Sequence, residues 1–206
     1  STIGERAFYN SYLKGDIEIN DNIISIGENA FGRCTEITSF SFINFANKAA
    51  GRLSANVLGS YYTDSFGALF KIDEAVGAPY VTLLQFPAAR SEGGANFIYD
   101  MSSMDIVVNE ISPEAFWGAE YLEEVILHNE TEIVGSQAFA NCKRLEKATL
   151  GIGYYGTSKT GTSGLYSYNL FIDSIALEEI VVHEDNPRFA NDSNGVLYSK
   201  DFDVLY

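Results

Sequence analysis

The chain is short of the residues from which most chemistry is built. Among 206 residues there are two histidines, two cysteines and only 13 basic side chains, set against 28 acidic ones, for a formal net charge of −15. Each scarcity excludes something. A surface this acidic repels phosphate backbones and anionic lipid, which argues against nucleic-acid and membrane-surface binding and leaves basic partners open. Two histidines without an evident third ligand do not compose a metal site. Nucleophilic catalysis needs a base held beside a Ser or Cys, and no spacing in the chain supplies one. No enzyme activity and no cofactor are therefore expected.

What the chain has in quantity is repetition. The phrase IGERAF (Ile3 to Phe8) returns 23 residues later as IGENAF (Ile26 to Phe31), then as ISPEAF (Ile111 to Phe116) and VGSQAF (Val134 to Phe139). A period of this length is the mark of a solenoid, whose units bury their apolar sides only by stacking on neighbours. Counted from each Phe, apolar residues recur six places on at Ile37, Leu122, Leu145 and Leu177. Nine and eleven places on come Ile17/Ile19, Phe40/Phe42, Val125/Leu127, Ala148/Leu150 and Ile180/Val182. That ending alternates with period two and predicts a short strand with one inward face. The Ala-Phe segment predicts a tight turn into a brief helix or 3₁₀ stretch. The expected fold is thus an α/β solenoid of short parallel strands on one face, roughly 4.8 Å apart, with short helical or 3₁₀ returns. The Phe column is read as core, each ring worth roughly 1.5–3 kcal/mol on burial.

IGENAFGRCTEITSFSF and VGSQAFANCKRLEKATL resemble the BspA-like leucine-rich repeat, with its pattern Ile-Gly-x-x-Ala-Phe-x-x-Cys-x-x-Leu-x-x-Ile-x-Ile. VVHEDNPRFANDSNGVLYSKD resembles the same family's variable hairpin unit, and a diverged copy lies upstream, where Gly67, Leu69 and Phe70 match Gly195, Leu197 and Tyr198. In that alignment Thr82-Leu83-Leu84 matches Asp203-Val204-Leu205. The resemblance covers residues 1–42 and 67–206, departing at Ser11, Ala119 and Ser174 where the family has Cys, in the first half before Phe171, and over 43–66. The expected organisation is one solenoid over 1–206, with a hairpin insertion at about 43–110 and a loop insertion at about 153–165. The chain opens in mid-repeat and stops inside a hairpin unit, so it is expected to be part of a longer protein, and the lack of a signal peptide or membrane span then says nothing.

The repeat register disposes of several chemical readings. Cys34 and Cys142 share one position at least three coils apart, on the order of 14 Å, where a disulfide needs about 7 Å, so both are expected as buried thiols. His128 and His183 share another, roughly 10 Å apart, too far for one metal at about 2.1 Å per bond. GIGYYG (Gly151 to Gly156) has the letters of a dinucleotide loop, but the TSKTGTSG that follows is flexible loop composition and not the helix that such a loop needs. GTSKTG lacks the Gly-Lys-Ser/Thr order of a phosphate loop.

Two candidate surfaces remain. Glu123, Glu146 and Glu178 stack seven places after Phe, and Glu124, Lys147 and Glu179 eight places after. Like charges at one strand spacing repel, so this column is expected to take a cation or a basic segment, unless it is simply a solvated face. Tyr154, Tyr155, Tyr166 and Tyr168 bracket the polar loop 156–164 and suit sugar or peptide contacts, unless some fold back as a lid. Trp117 reads as exposed or as tucked beside Tyr121. The resemblance implies a protein of the cell surface or extracellular space, binding protein or glycan on host or neighbouring cells without catalysis. The competing expectation is a spacer with no ligand of its own.

Overall fold

The structure, a computed structural model, describes residues 1–20, 22–43, 57–58, 60–73, 79–93, 97–156 and 169–205. Each 23-residue unit makes one coil with a short strand, a return and a longer strand. In the Phe8 coil these strands are β1 (Thr2–Ile3) and β2 (Lys14–Asn20), and in the Phe31 coil β3 (Ser25–Ile26) and β4 (Glu36–Ile43). A hairpin of β5 (Val57–Leu58), β6 (Tyr61–Thr63), β7 (Leu69–Asp73) and β8 (Tyr80–Gln85) follows, and β8 doubles as the short strand of the next coil, completed by β9 (Phe97–Asp100). Then come β10 (Glu110–Ile111) with β11 (Leu122–Ile126), β12 (Ile133–Val134) with β13 (Lys147–Leu150), and β14 (Glu179–Val182). A final hairpin joins β15 (Phe189–Asn191) to β16 (Leu197–Ser199).

Equivalent strands of successive coils pair in parallel. The registers Ile17↔Phe40, Val125↔Ala148 and Ala148↔Ile180 join the very residues that the period aligns. Inside, the Phe column forms a ladder: Phe86–Phe116 and Phe116–Phe139 stack with centroids 4.8 Å apart, and Phe139–Phe171 at 5.5 Å. Phe8 and Phe31 form a separate stacked pair at 5.4 Å. The glycine of the Ile-Gly phrase has a steric cause. A Cβ at Gly27 or Gly135 would lie 2.3 Å from a backbone nitrogen of the preceding coil.

The returns are not helical, and the fold is an all-β solenoid and not an α/β one. Every element named above is a strand, and Asn169 alone among the described residues has 3₁₀ geometry. The reason is backbone handedness. The residues two before and two after Phe are left-handed: Arg6 and Asn10, Asn29 and Arg33, Glu114 and Gly118, Gln137 and Asn141 all have φ between 50° and 69°. A helix needs an unbroken right-handed run, so each return becomes a chain of overlapping turns instead. In the first coil the amides of Ala7, Tyr9 and Ser11 donate to the carbonyls of Gly4, Arg6 and Phe8. Left-handed non-glycine residues cost about 1–2 kcal/mol each. The offset comes from the next coil: Arg6, Phe8 and Asn10 amides donate to the Glu28, Ala30 and Gly32 carbonyls at 2.8–3.0 Å.

Cysteine has a repeated duty here. The Cys34 thiol donates to the Phe8 carbonyl (3.0 Å) and Cys142 to that of Phe116 (3.1 Å), both as free, buried thiols. Burial pushes the Cys142 thiol up to about 12. Ser174 performs the same task on Phe139 at 2.7 Å. Ala119 has no donor to offer, and the side-chain amide of Gln85 reaches the Phe86 carbonyl in its place (3.2 Å).

The first hairpin divides the stack. The long-strand sheet falls into β2–β4 and β9–β11–β13–β14, and the core into two clusters. Tyr61 and Leu69 of the hairpin belong to one cluster, Ala68 and Phe70 to the other. Its turn is the same structure as the turn of β15–β16. Asp64 accepts the amides of Phe66 and Ala68 on Oδ1, as Asp192 accepts those of Asn194 and Val196. Gly67 and Gly195 are left-handed (φ 76° and 74°), and their carbonyls take the amides of Phe40 in β4 and Ile180 in β14. The strand pairing sets Leu83 opposite Phe70 as Leu205 stands opposite Tyr198, one residue away from the sequence alignment, because β7 and β8 slip register between Leu69 and Phe70.

Candidate functional site

The acidic column sits on the outward side of β11, β13 and β14. Register places Glu124, Lys147 and Glu179 side by side, and the amides of Glu146 and Glu178 step from coil to coil through the Glu123 and Glu146 carbonyls. Much of the charge is neutralised internally. Lys147 pairs with Glu179 at 3.0 Å, and that hydrogen bond raises the lysine's pKa. Arg144, which the sequence reading passed over, pairs with Glu123. Among the described residues no ion pair joins Glu124, Glu146 or Glu178, and no three His, Cys, Asp or Glu side chains are grouped to hold a metal.

The tyrosines part company. Tyr154 is fully buried, its ring 5.0 Å from Phe189, and it is core instead of a contact surface. The cause is the turn at Gly151–Gly153, which packs against the backbone of residues 128–130 and directs Tyr154 inward. Tyr155 is 36% exposed and stacks with the guanidinium of Arg188 at 4.5 Å. Tyr166 and Tyr168 lie outside the described residues. In GIGYYG the Gly153 and Tyr155 amides donate to Asn129 and Glu132 carbonyls, so they are not presented to a phosphate. The histidines serve turns: Nδ1 of His128 accepts the Glu130 amide (3.1 Å) and Nδ1 of His183 that of Asp185 (3.2 Å).

One cluster had no sequence signal. Side chains of the Phe8 and Phe31 coils reach a residue of the Phe116 coil. Arg33 donates from Nε (2.9 Å) and a terminal nitrogen (2.6 Å) to Oε1 of the buried Glu114, which also accepts the Tyr9 hydroxyl at 3.0 Å. The same guanidinium lies 3.8 Å over Trp117, which is half-buried. Burial, with Glu114 beside it, raises the Tyr9 pKa.

Asp64 couples the hairpin to the stack. Its Oδ2 accepts the Tyr99 hydroxyl at 2.5 Å, and burial lifts its pKa despite the hydrogen bonds that lower it. A carboxyl raised in the folded state contributes stability that is complete below its unfolded pKa of about 3.9 and is lost as pH rises through the folded value. Asp64→Asn removes that dependence. The stability difference between the variant and the parent chain, measured by urea unfolding, should shift in the variant's favour from pH 4 to pH 7. A pH-independent difference would contradict the assignment.

The stacked columns, the Phe ladder and the thiol register define a leucine-rich-repeat solenoid. The chain belongs to the BspA type Leucine rich repeat region family, which matches in six copies over residues 1–52 and 101–194. Among solved structures it is similar to a leucine rich cell surface protein from Faecalibacterium prausnitzii A2-165 (18% identity, TM-score 0.59), covering 90% of this chain and 46% of that one. It is also similar to the pneumococcal vaccine antigen PcpA (16% identity, TM-score 0.60), covering 93% and 44%. The chain thus spans less than half the length of either. At these identities the likeness is one of fold. No curated protein matches the sequence.

Proposed function

We propose that the chain is a non-catalytic interaction module of the cell surface or extracellular space, holding a protein or glycan of a host or neighbouring cell where the repeat is broken. The observation that carries this is the division of labour among side chains. Most of the repeated Phe, Cys and aliphatic residues are spent inward, whereas Tyr155 and Arg188 pair on the outside, at the edge of the inserted loop. Tyrosine and arginine are the residues that interfaces favour as anchors. Membership of the repeat family and the likeness to a leucine rich cell surface protein support the location.

The test is a screen of immobilised matrix proteins and glycans with the parent chain and with Tyr155→Ala/Arg188→Ala. Binding weakened by about tenfold in the double variant is expected. Undiminished binding would move the contact elsewhere, with Glu124, Glu146 and Glu178 as the next surface. The self-neutralising pairs Glu123–Arg144 and Lys147–Glu179 favour a second reading, a spacer, and a screen without any binder would support it.

A further inference from the structure

The first hairpin does not close flush on the stack. Between its turn and the loop after β9 lies a cavity of about 430 Å³, within the roughly 300–1,000 Å³ of small-ligand sites. Tyr62, Asp64 and Phe66 form one wall, and Asp100, Met104 and Asp105 the other. The aromatic wall is held rigidly. Tyr62 stacks on Phe70 at 4.5 Å, and Phe66 sits edge-on to Tyr99 at 5.3 Å. The Tyr62 hydroxyl is shut off from solvent and has no hydrogen-bond partner among the described residues, a state that costs about 1–3 kcal/mol.

The charge is equally incomplete. Asp64 spends its oxygens on two backbone amides and Tyr99, and Asp100 holds Ser102 with Oδ1 alone. Among the described residues no Lys or Arg forms an ion pair with Asp64, Asp100 or Asp105. Their carboxylates are not grouped closely enough for a metal. Ser65 and Ser103 add hydroxyls that could meet a sugar, but a neutral sugar would leave the acidic charge of the lining uncompensated. An organic cation on an apolar stem satisfies both halves, with its stem along the rings and the Met104 thioether and its charge toward the carboxylates.

We propose that this cavity receives a lysine or arginine side chain of a partner protein, seated between Tyr62 and Phe66 on one side and Asp100 and Asp105 on the other. It rests on the reading of the chain as an interaction module and gives that module a chemical preference. The experiment is an NMR titration of the ¹⁵N-labelled chain with N-acetyl-lysine methylamide, the arginine equivalent, the uncharged norleucine equivalent and a methyl glycoside.

The lysine and arginine probes should shift the amides of Phe66, Ser103 and Met104 with millimolar affinity, while norleucine leaves them in place. Asp105 is exposed and makes no hydrogen bond among the described residues, so its variants keep the fold. Asp105→Asn should weaken the probes about threefold and Asp105→Lys abolish them. Equal shifts with norleucine, a response to the glycoside alone, or indifference to Asp105→Lys would each overturn the proposal. So would a protein partner from the screen that binds Asp105→Lys undiminished, an outcome that leaves the interaction module standing. A screen without binders removes the module, whereas the titration judges the cavity by itself.

Discussion

Phe116→Ala should destabilise the chain by about 3–5 kcal/mol, the range for deleting a large aromatic from a packed core. Phe116 is completely buried and stacks on both sides, against Phe86 and Phe139 at 4.8 Å each. Its loss would open a hole in the middle of the ladder, where two rigid neighbours cannot both move in. Phe8 occupies the same repeat position, yet among the described residues it stacks on Phe31 alone, and it is 39% exposed. Phe8→Ala should cost no more than about 1–2 kcal/mol. Urea unfolding of both variants checks the contrast. Equal losses would mean that the ladder is not what joins the coils. In a stacked array each coil holds mainly its neighbours, so the Phe116 variant should also show a broadened transition.

Asn186→Ala should be comparably damaging, on the order of 3–5 kcal/mol, through hydrogen bonds and not through volume. Asn186 is fully buried, and its two amide N–H groups are shared among the carbonyls of Gly151, Ile152 and Tyr154 at 3.1–3.2 Å. Its Oδ1 accepts the amides of Arg188 and Phe189, both at 2.9 Å. One side chain thereby ties the last hairpin to the turn that buries Tyr154. Asn186→Asp retains shape and the two acceptor contacts but sets a carboxylate against three carbonyl oxygens. That variant should be strongly destabilised at pH 7 and partly rescued at pH 4, where the protonated acid donates once. A thermal midpoint of Asn186→Asp independent of pH would show that the three carbonyls are satisfied in another way.

Side-chain periodicity was the legible part of this fold. Strand registers, the Phe ladder, the thiol column and the duplicate hairpin all follow from residues whose type is dictated by burial, and burial recurs every 23 residues. The return conformation was less legible, because i to i+3 hydrogen bonding looks alike in a 3₁₀ turn and in a chain of overlapping turns. The discriminating signal was present in part: Asn10, Asn29, Gly118 and Asn141 stand at the left-handed positions and favour that geometry. Arg6, Arg33, Glu114 and Gln137 at the equivalent positions hide it. At the candidate surface, Tyr154 and Tyr155 are adjacent and identical in type, and only the turn decides which faces outward. The Arg33–Glu114 pair was beyond sequence reading, since it joins residues 81 apart that the period does not set at one position.

The amides around Phe have a consequence for how such a chain can grow. Phe8, Phe86, Phe116 and Phe139 each donate forward, to Ala30, Ala115, Ala138 and Leu170 of the following coil. In this column these four coils therefore each give toward the next, and the stack has a polarity like a row of bar magnets laid end to end. A duplicated coil can slip in head to tail between two regular coils, such as those of Phe116 and Phe139, and find its bonds waiting. Two such stacks meeting by the same end would set donor against donor. Lengthening by repetition is thus built into the backbone, and joining by symmetry at those ends is disfavoured.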